Sequence, residues 1–100
     1  MYVGDNSSVL LECRSDFFNR FIEWQGPYGG GATYFSHKTI NQQLPAELRN
    51  RLELVPTWTP HHYYDDYGLR INAFSTSDEG TYTCMTRRMN KTYNVYIKGK

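Results

Sequence analysis

Two cysteines, Cys13 and Cys84, are the residues of this chain best suited to covalent chemistry. Joined, they would close a loop of about 70 residues, which chain entropy makes worth roughly 4 kcal/mol. The other reading is a pair of buried thiols in a reducing compartment. Two N-x-[ST] tripeptides, Asn6-Ser7-Ser8 and Asn90-Lys91-Thr92, weigh toward the oxidising one, because asparagine glycosylation accompanies secretion. Two cysteines do not by themselves complete a four-ligand metal site, and these are not spaced as C-x-x-C. His61-His62-Tyr63-Tyr64-Asp65-Asp66 is the one cluster with ligand-type side chains. Adjacent histidines on an extended chain point to opposite faces, so only one could join Asp65 or Asp66 at an ion. A polar loop is the simpler account. There is no G-x-S-x-G, no P-loop and no H-E-x-x-H. The expectation is no enzyme, no metal and no cofactor.

The elements that must position these residues are strands. Val9-Leu10-Leu11-Glu12-Cys13 puts Val9, Leu11 and Cys13 on one face, and Phe21-Ile22-Glu23-Trp24 puts Ile22 with Trp24. Ala32-Thr33-Tyr34-Phe35 follows a Pro27-Tyr28-Gly29-Gly30-Gly31 turn, which suits a hairpin. Arg51 to Val55, Leu69 to Ile71, Thr81 to Thr86 and Tyr93 to Ile97 alternate in the same way. Pro56 to Gly68 carries two prolines and reads as a long turn or edge excursion. Helical signal is confined to Leu44-Pro45-Ala46-Glu47-Leu48-Arg49, enough for a turn or short helix. Short strands separated by turn chemistry argue for an antiparallel sandwich. The 100 residues suit one compact domain, and 39% hydrophobic content is enough to build a core. A formal net charge of +1 points to neither nucleic acid nor direct membrane contact. No transmembrane run or secretory h-region is present, so any leader or anchor is expected outside these residues. The domain is expected to span 1–98, with 99–100 as linker or chain end.

Four residues then converge on one pattern. Cys13 lies on an early strand, Trp24 on the next, and Cys84 on a late strand with Tyr82 two residues before it, within Asp78-Glu79-Gly80-Thr81-Tyr82-Thr83-Cys84. With Leu69-x-Ile71 ahead of that run, most of the chain resembles the immunoglobulin superfamily. The resemblance implies a disulfide between strands B and F, a core tryptophan on strand C and a tyrosine corner. Trp24 is then expected to fill the centre against Cys13–Cys84, and Tyr82 to bury its ring while its hydroxyl bonds a backbone carbonyl. Gly80 would let the corner turn without a Cβ clash. The resemblance also implies a salt bridge from an arginine opening strand D, Arg51 with Arg49 as fallback, to Asp78. The interval from Trp24 to Cys84 leaves room for a C′ strand and for C″ beyond it, so the fold class is all-β, an immunoglobulin-like antiparallel sandwich of variable or intermediate type. A Phe-Gly-x-Gly run on strand G is absent, which argues against a rearranging antigen receptor.

Alternation also names the outward residues of the sheet built from strands G, F, C and C′. Glu23, Gln25, Tyr34, Thr83, Met85 and Arg87 should point out, with Met89 near by. Exposed methionine, tyrosine and arginine are enriched at protein interfaces, and the resemblance adds that variable-type domains commonly pair through this face. A basic patch of Arg87, Arg88, Lys91, Lys98 and Lys100 would suit a sulfated glycan or an acidic partner, although a glycan on Asn90 would obstruct it. Phe17 and Phe18 lie between strands B and C, and Trp58, Tyr63, Tyr64 and Tyr67 crowd the D–E excursion, where packing is the simpler role. The expected function is recognition outside the cell, at the surface or secreted, by a receptor or adhesion domain whose partner is a protein or a second copy. The alternatives are a heparan-like or lectin-like glycan binder, a ligand-binding domain of a receptor tyrosine kinase, and an intracellular structural repeat.

Overall fold

The computed structural model describes residues 1–13, 22–56, 67–86 and 90–99. Among these described residues nine strands form two sheets. They are β1 (Tyr2–Val3), β2 (Val9–Leu11), β3 (Glu23–Gly26), β4 (Ala32–Ser36), β5 (Thr39–Ile40), β6 (Leu52–Pro56), β7 (Tyr67–Ile71), β8 (Gly80–Met85) and β9 (Asn90–Ile97). The larger sheet runs in the order β1-β9-β8-β3-β4-β5 and the smaller in the order β2-β7-β6. In immunoglobulin lettering these are an A′GFCC′C″ sheet facing a BED sheet, the variable-type arrangement. All pairings are antiparallel except β1 with β9, where Tyr2 lies beside Tyr96 and Val3 beside Ile97.

Period-two alternation builds the core. In the smaller sheet Val9, Ile71 and Leu52 stand in one row, and Leu11, Leu69 and Leu54 in the next, all turned toward the larger sheet. From the other side come Trp24, Tyr82, Cys84, Val95 and Ile97, each almost wholly buried. Cys13 and Cys84 are joined across the gap with their α-carbons 6.3 Å apart, closing a sequence separation of 71. Trp24 is the direct neighbour of Cys84 in the β3–β8 ladder and is fully buried beside the bond. Its indole stacks at 26° on Tyr93, with ring centroids 6.4 Å apart. Pro56 ends β6, an edge strand, where the missing N–H leaves no central ladder position unmet.

The lower corner is tied by charge and by one phenol. Arg51 follows the short helix α1 (Ala46–Arg49), and its guanidinium forks onto Asp78, with Nη1 to Oδ2 at 2.7 Å and Nη2 to Oδ1 at 2.9 Å. Arg51 Nε donates to Glu47 at 2.6 Å, while Arg49 donates instead to Gln42. The hydrogen bond to Asp78 pushes the Arg51 guanidinium well above its ordinary value, so the fork stays charged. Tyr82 donates from its buried hydroxyl to the Asp78 carbonyl at 2.6 Å. Gly80 has φ 141, and a Cβ there would lie 2.7 Å from Pro27.

Burial raises the phenols of Tyr34 and Tyr82 above their ordinary value, because the phenolate would lose its hydration. A group whose folded pKa is raised contributes stability below its unfolded value and loses it as pH climbs toward the folded one. Stability is therefore expected to fall as pH rises beyond about 10. Urea midpoints at stepped alkaline pH, read beside tyrosinate absorbance, check this. Tyr82→Phe should flatten the decline while costing roughly 1–3 kcal/mol at neutral pH, since the Asp78 carbonyl loses its donor.

Candidate functional site

The two faces of the larger sheet differ because Trp24, Tyr82 and Cys84 point inward. Their chain neighbours Glu23, Gln25, Thr83 and Met85 therefore point out and are partly exposed. Cross-strand register arranges the outer face in rows. Asn90, Met85, Glu23, Ser36 and Thr39 form one row, and Thr92, Thr83, Gln25 and Thr33 the next. Further down, Thr81 donates to Asn94 Oδ1 at 2.9 Å. At the lower end Tyr2, 71% exposed, lies 6.3 Å from Tyr96, 41% exposed. Glu23 is the one charged residue in these rows, and its Oε2 accepts from Gln25 Nε2 at 3.0 Å. A shallow trough of about 420 Å³ opens on this face beside the β3–β4 turn. Gln25, Gly26, Pro27, Gly30, Thr81 and Thr83 are among the residues that line it. Gly29, Gly30 and Gly31 all take positive φ, and a Cβ on any of them would meet nothing within 4 Å, so the turn is a bare backbone rim.

Tyr34 is not on this face. Alternation through β4 places it outward, but it is 2% exposed and packs inside. The cause is a register shift: Trp24 pairs with Phe35 whereas Gln25 pairs with Thr33, so Tyr34 is the extra residue of a bulge. Its ring turns inward over Gly26 and meets Tyr82 edge-on at 5.9 Å, and its hydroxyl accepts from the Tyr28 N–H at 3.1 Å. Gly26 makes this possible, since a Cβ there would overlap the Tyr34 ring. The signal in the sequence was Gly26 itself, a glycine inside a strand pattern.

Of the basic patch, Lys91 and Lys98 are the members among the described residues, and these two do not share one surface. Lys91 and Lys98 flank β9 at opposite ends, about 23 Å apart at extended rise. Lys91 shares the inner side of the sheet with Tyr93, its Nζ 5.2 Å from that ring centroid. Tyr67 opens β7 and packs against the core, with His37 and Lys38 against its ring. Arg87, Arg88, Met89, Lys100, Phe17, Phe18, Trp58, His61, His62, Tyr63, Tyr64, Asp65 and Asp66 lie outside the described residues. Among the described residues no group of three His, Cys, Asp or Glu is placed to hold a metal ion, and no helix is long and apolar enough to cross a membrane.

Comparison with protein-family models finds no match, and comparison with curated protein sequences finds none. Solved structures do match. The RIG-5 IG1 homodimer superposes with a TM-score of 0.73 at 18% identity, covering 95% of this chain and 85% of that one. A VGSC beta subunit structure, described in terms of multimeric cell-adhesive interactions, gives 0.68 at 16% identity over 99% of this chain and 91% of the other. The ZIG-8–RIG-5 IG1–IG1 heterodimer gives 0.72 at 14% identity over 98% and 80%. With the two sheets and the Cys13–Cys84 bond, the fold is an immunoglobulin-like sandwich.

Gly26→Ala should cost about 1–3 kcal/mol, because the Tyr34 ring has no room to retreat in the core. In a Tyr34→Ala background the same change should cost close to nothing, a coupling that urea denaturation of the four variants measures. Equal costs in both backgrounds would put the ring elsewhere.

Proposed function

We propose that this domain acts outside the cell as a recognition module that binds protein through the outer face of the larger sheet, a second copy of itself being the first partner to try. One observation carries the reading: the rows around Met85, Glu23, Gln25 and Thr83 are polar, almost uncharged and partly exposed. Such a surface desolvates cheaply, because a buried unpaired charge is the costly item at an interface and among the described residues of these rows only Glu23 supplies one. The alternation that builds the core also holds these side chains on rigid strands, which lowers the entropy lost on binding. Similarity to IG1 domains solved as a homodimer and as a heterodimer supports a protein partner. The disulfide supports an oxidising, extracellular setting.

Sedimentation equilibrium of the oxidised domain tests this. The expected result is a dimer with a dissociation constant of about 1–100 μM. Thr83→Arg with Gln25→Arg places two cations at the centre of the face and should weaken it at least about 10-fold, or 1.4 kcal/mol. A domain that stays monomeric to about 1 mM, or a double variant that dimerises like the parent, overturns the reading.

A further inference from the structure

The two glycosylation tripeptides occupy different parts of the fold. Asn6 sits in the turn before β2 in a left-handed conformation, φ 62, and donates its backbone N–H to the Phe74 carbonyl at 2.7 Å. Phe74 precedes the turn that leads into β8, so Asn6 belongs to the Gly80 end of that strand. Asn90 belongs to the other end, about 17 Å away along β8, and is exposed directly opposite Met85.

We infer that Asn90 is an N-glycan attachment site whose sugar covers the Met85–Glu23 end of the outer sheet face, so that its occupancy sets whether that end can be contacted. The inference deepens the recognition reading and rests on its secretory route. Register places Asn90 in the same row as Met85 and Glu23. Directly opposed residues have their β-carbons about 5 Å apart, so the first sugar lies against Met85. Thr92, which supplies the hydroxyl of the tripeptide, is exposed one step along the same face opposite Thr83. Lys91 between them turns to the other side, over the Tyr93 ring. The glycan therefore grows from the recognition face itself. In the transfer step a lipid-linked oligosaccharide diphosphate is the donor. A bond forms between Asn90 Nδ2 and the sugar C1, the bond from C1 to the diphosphate oxygen breaks, and the lipid diphosphate leaves with the amide proton. A sugar on Asn6 is at the wrong end to have this effect.

The test compares the parent chain, Thr92→Ala, Thr92→Ser and Asn6→Gln, all secreted from glycosylating cells. Intact mass reads occupancy, and the rate of Met85 sulfoxide formation under peroxide, with Tyr96 hydroxylation under radical footprinting as the far-end reference, reads shielding. Thr92→Ala should lose one glycan and oxidise Met85 at least about threefold faster, since sulfoxide formation follows exposure. Thr92→Ser keeps the tripeptide and should keep the parent's glycan and Met85 rate, while Asn6→Gln, at the other end of the fold, should match the parent in shielding and in self-association. Self-association should tighten at least about 10-fold in Thr92→Ala. An unmodified Asn90, or a Met85 rate that ignores the glycan, overturns the inference. Shielding of Met85 in a domain that is monomeric in every form sustains the inference and overturns self-recognition instead.

Discussion

The bond from Cys13 to Cys84 joins the two sheets where Trp24 fills the space between them, and the rest of the molecule takes its phase from that point. A strand has two faces and a repeat of two, so fixing one residue inward fixes every other residue on the strand. Cys84 inward sets Tyr82 inward, Met85 and Thr83 outward, and through the ladder Glu23, Gln25, Asn90 and Thr92 outward as well. The outer surface of the larger sheet is thus the complement of the core. A slip of one residue would bury Glu23 and expose the indole.

The lower corner works by different physics. Arg51 reaches Asp78 with two parallel hydrogen bonds and Glu47 with a third side, in a site only partly open to water. Two charges there are compensated by geometry and by further donors, including the Ser75 N–H to Asp78 Oδ2 at 2.9 Å. Asp78 also gives its backbone carbonyl to Tyr82, so one residue joins the ion pair to the core. Ile97 N–H donates to Glu79 at 2.8 Å and brings β9 into the same corner. These contacts are structural, and they leave the upper end and the outer face free to vary in chemistry.

How far the fold could be read from the residues follows from which signals are local. The Cys13, Trp24, Tyr82 and Cys84 pattern and the clean alternation of β2, β6 and β8 carry the two-sheet architecture, because core positions admit few residue types. The strand β1 went unread and β5 was legible only as room for C″, not as particular residues, since two residues each are too few to show a period. Tyr34 was misplaced because a bulge inserts one residue and inverts the alternation after it, and only Gly26 hinted at the ring that would need its space. Lys91 and Lys98 seemed neighbours in a charge count but stand at the two ends of β9. On the outer face, Glu23, Gln25 and Met85 were readable from parity alone. The position of Asn90 beside Met85 was not, because it depends on the register of a hairpin rather than on either strand.

The inter-sheet bond is what holds the two sheets in phase, and the unfolding free energy of the oxidised domain, set against that of Cys13→Ala/Cys84→Ala, tests this most directly. Urea denaturation should show the double variant less stable by about 4 kcal/mol, the entropy released to an unfolded chain no longer closed into a loop. A difference under about 1 kcal/mol would mean that the sheets are held in phase by something other than this link.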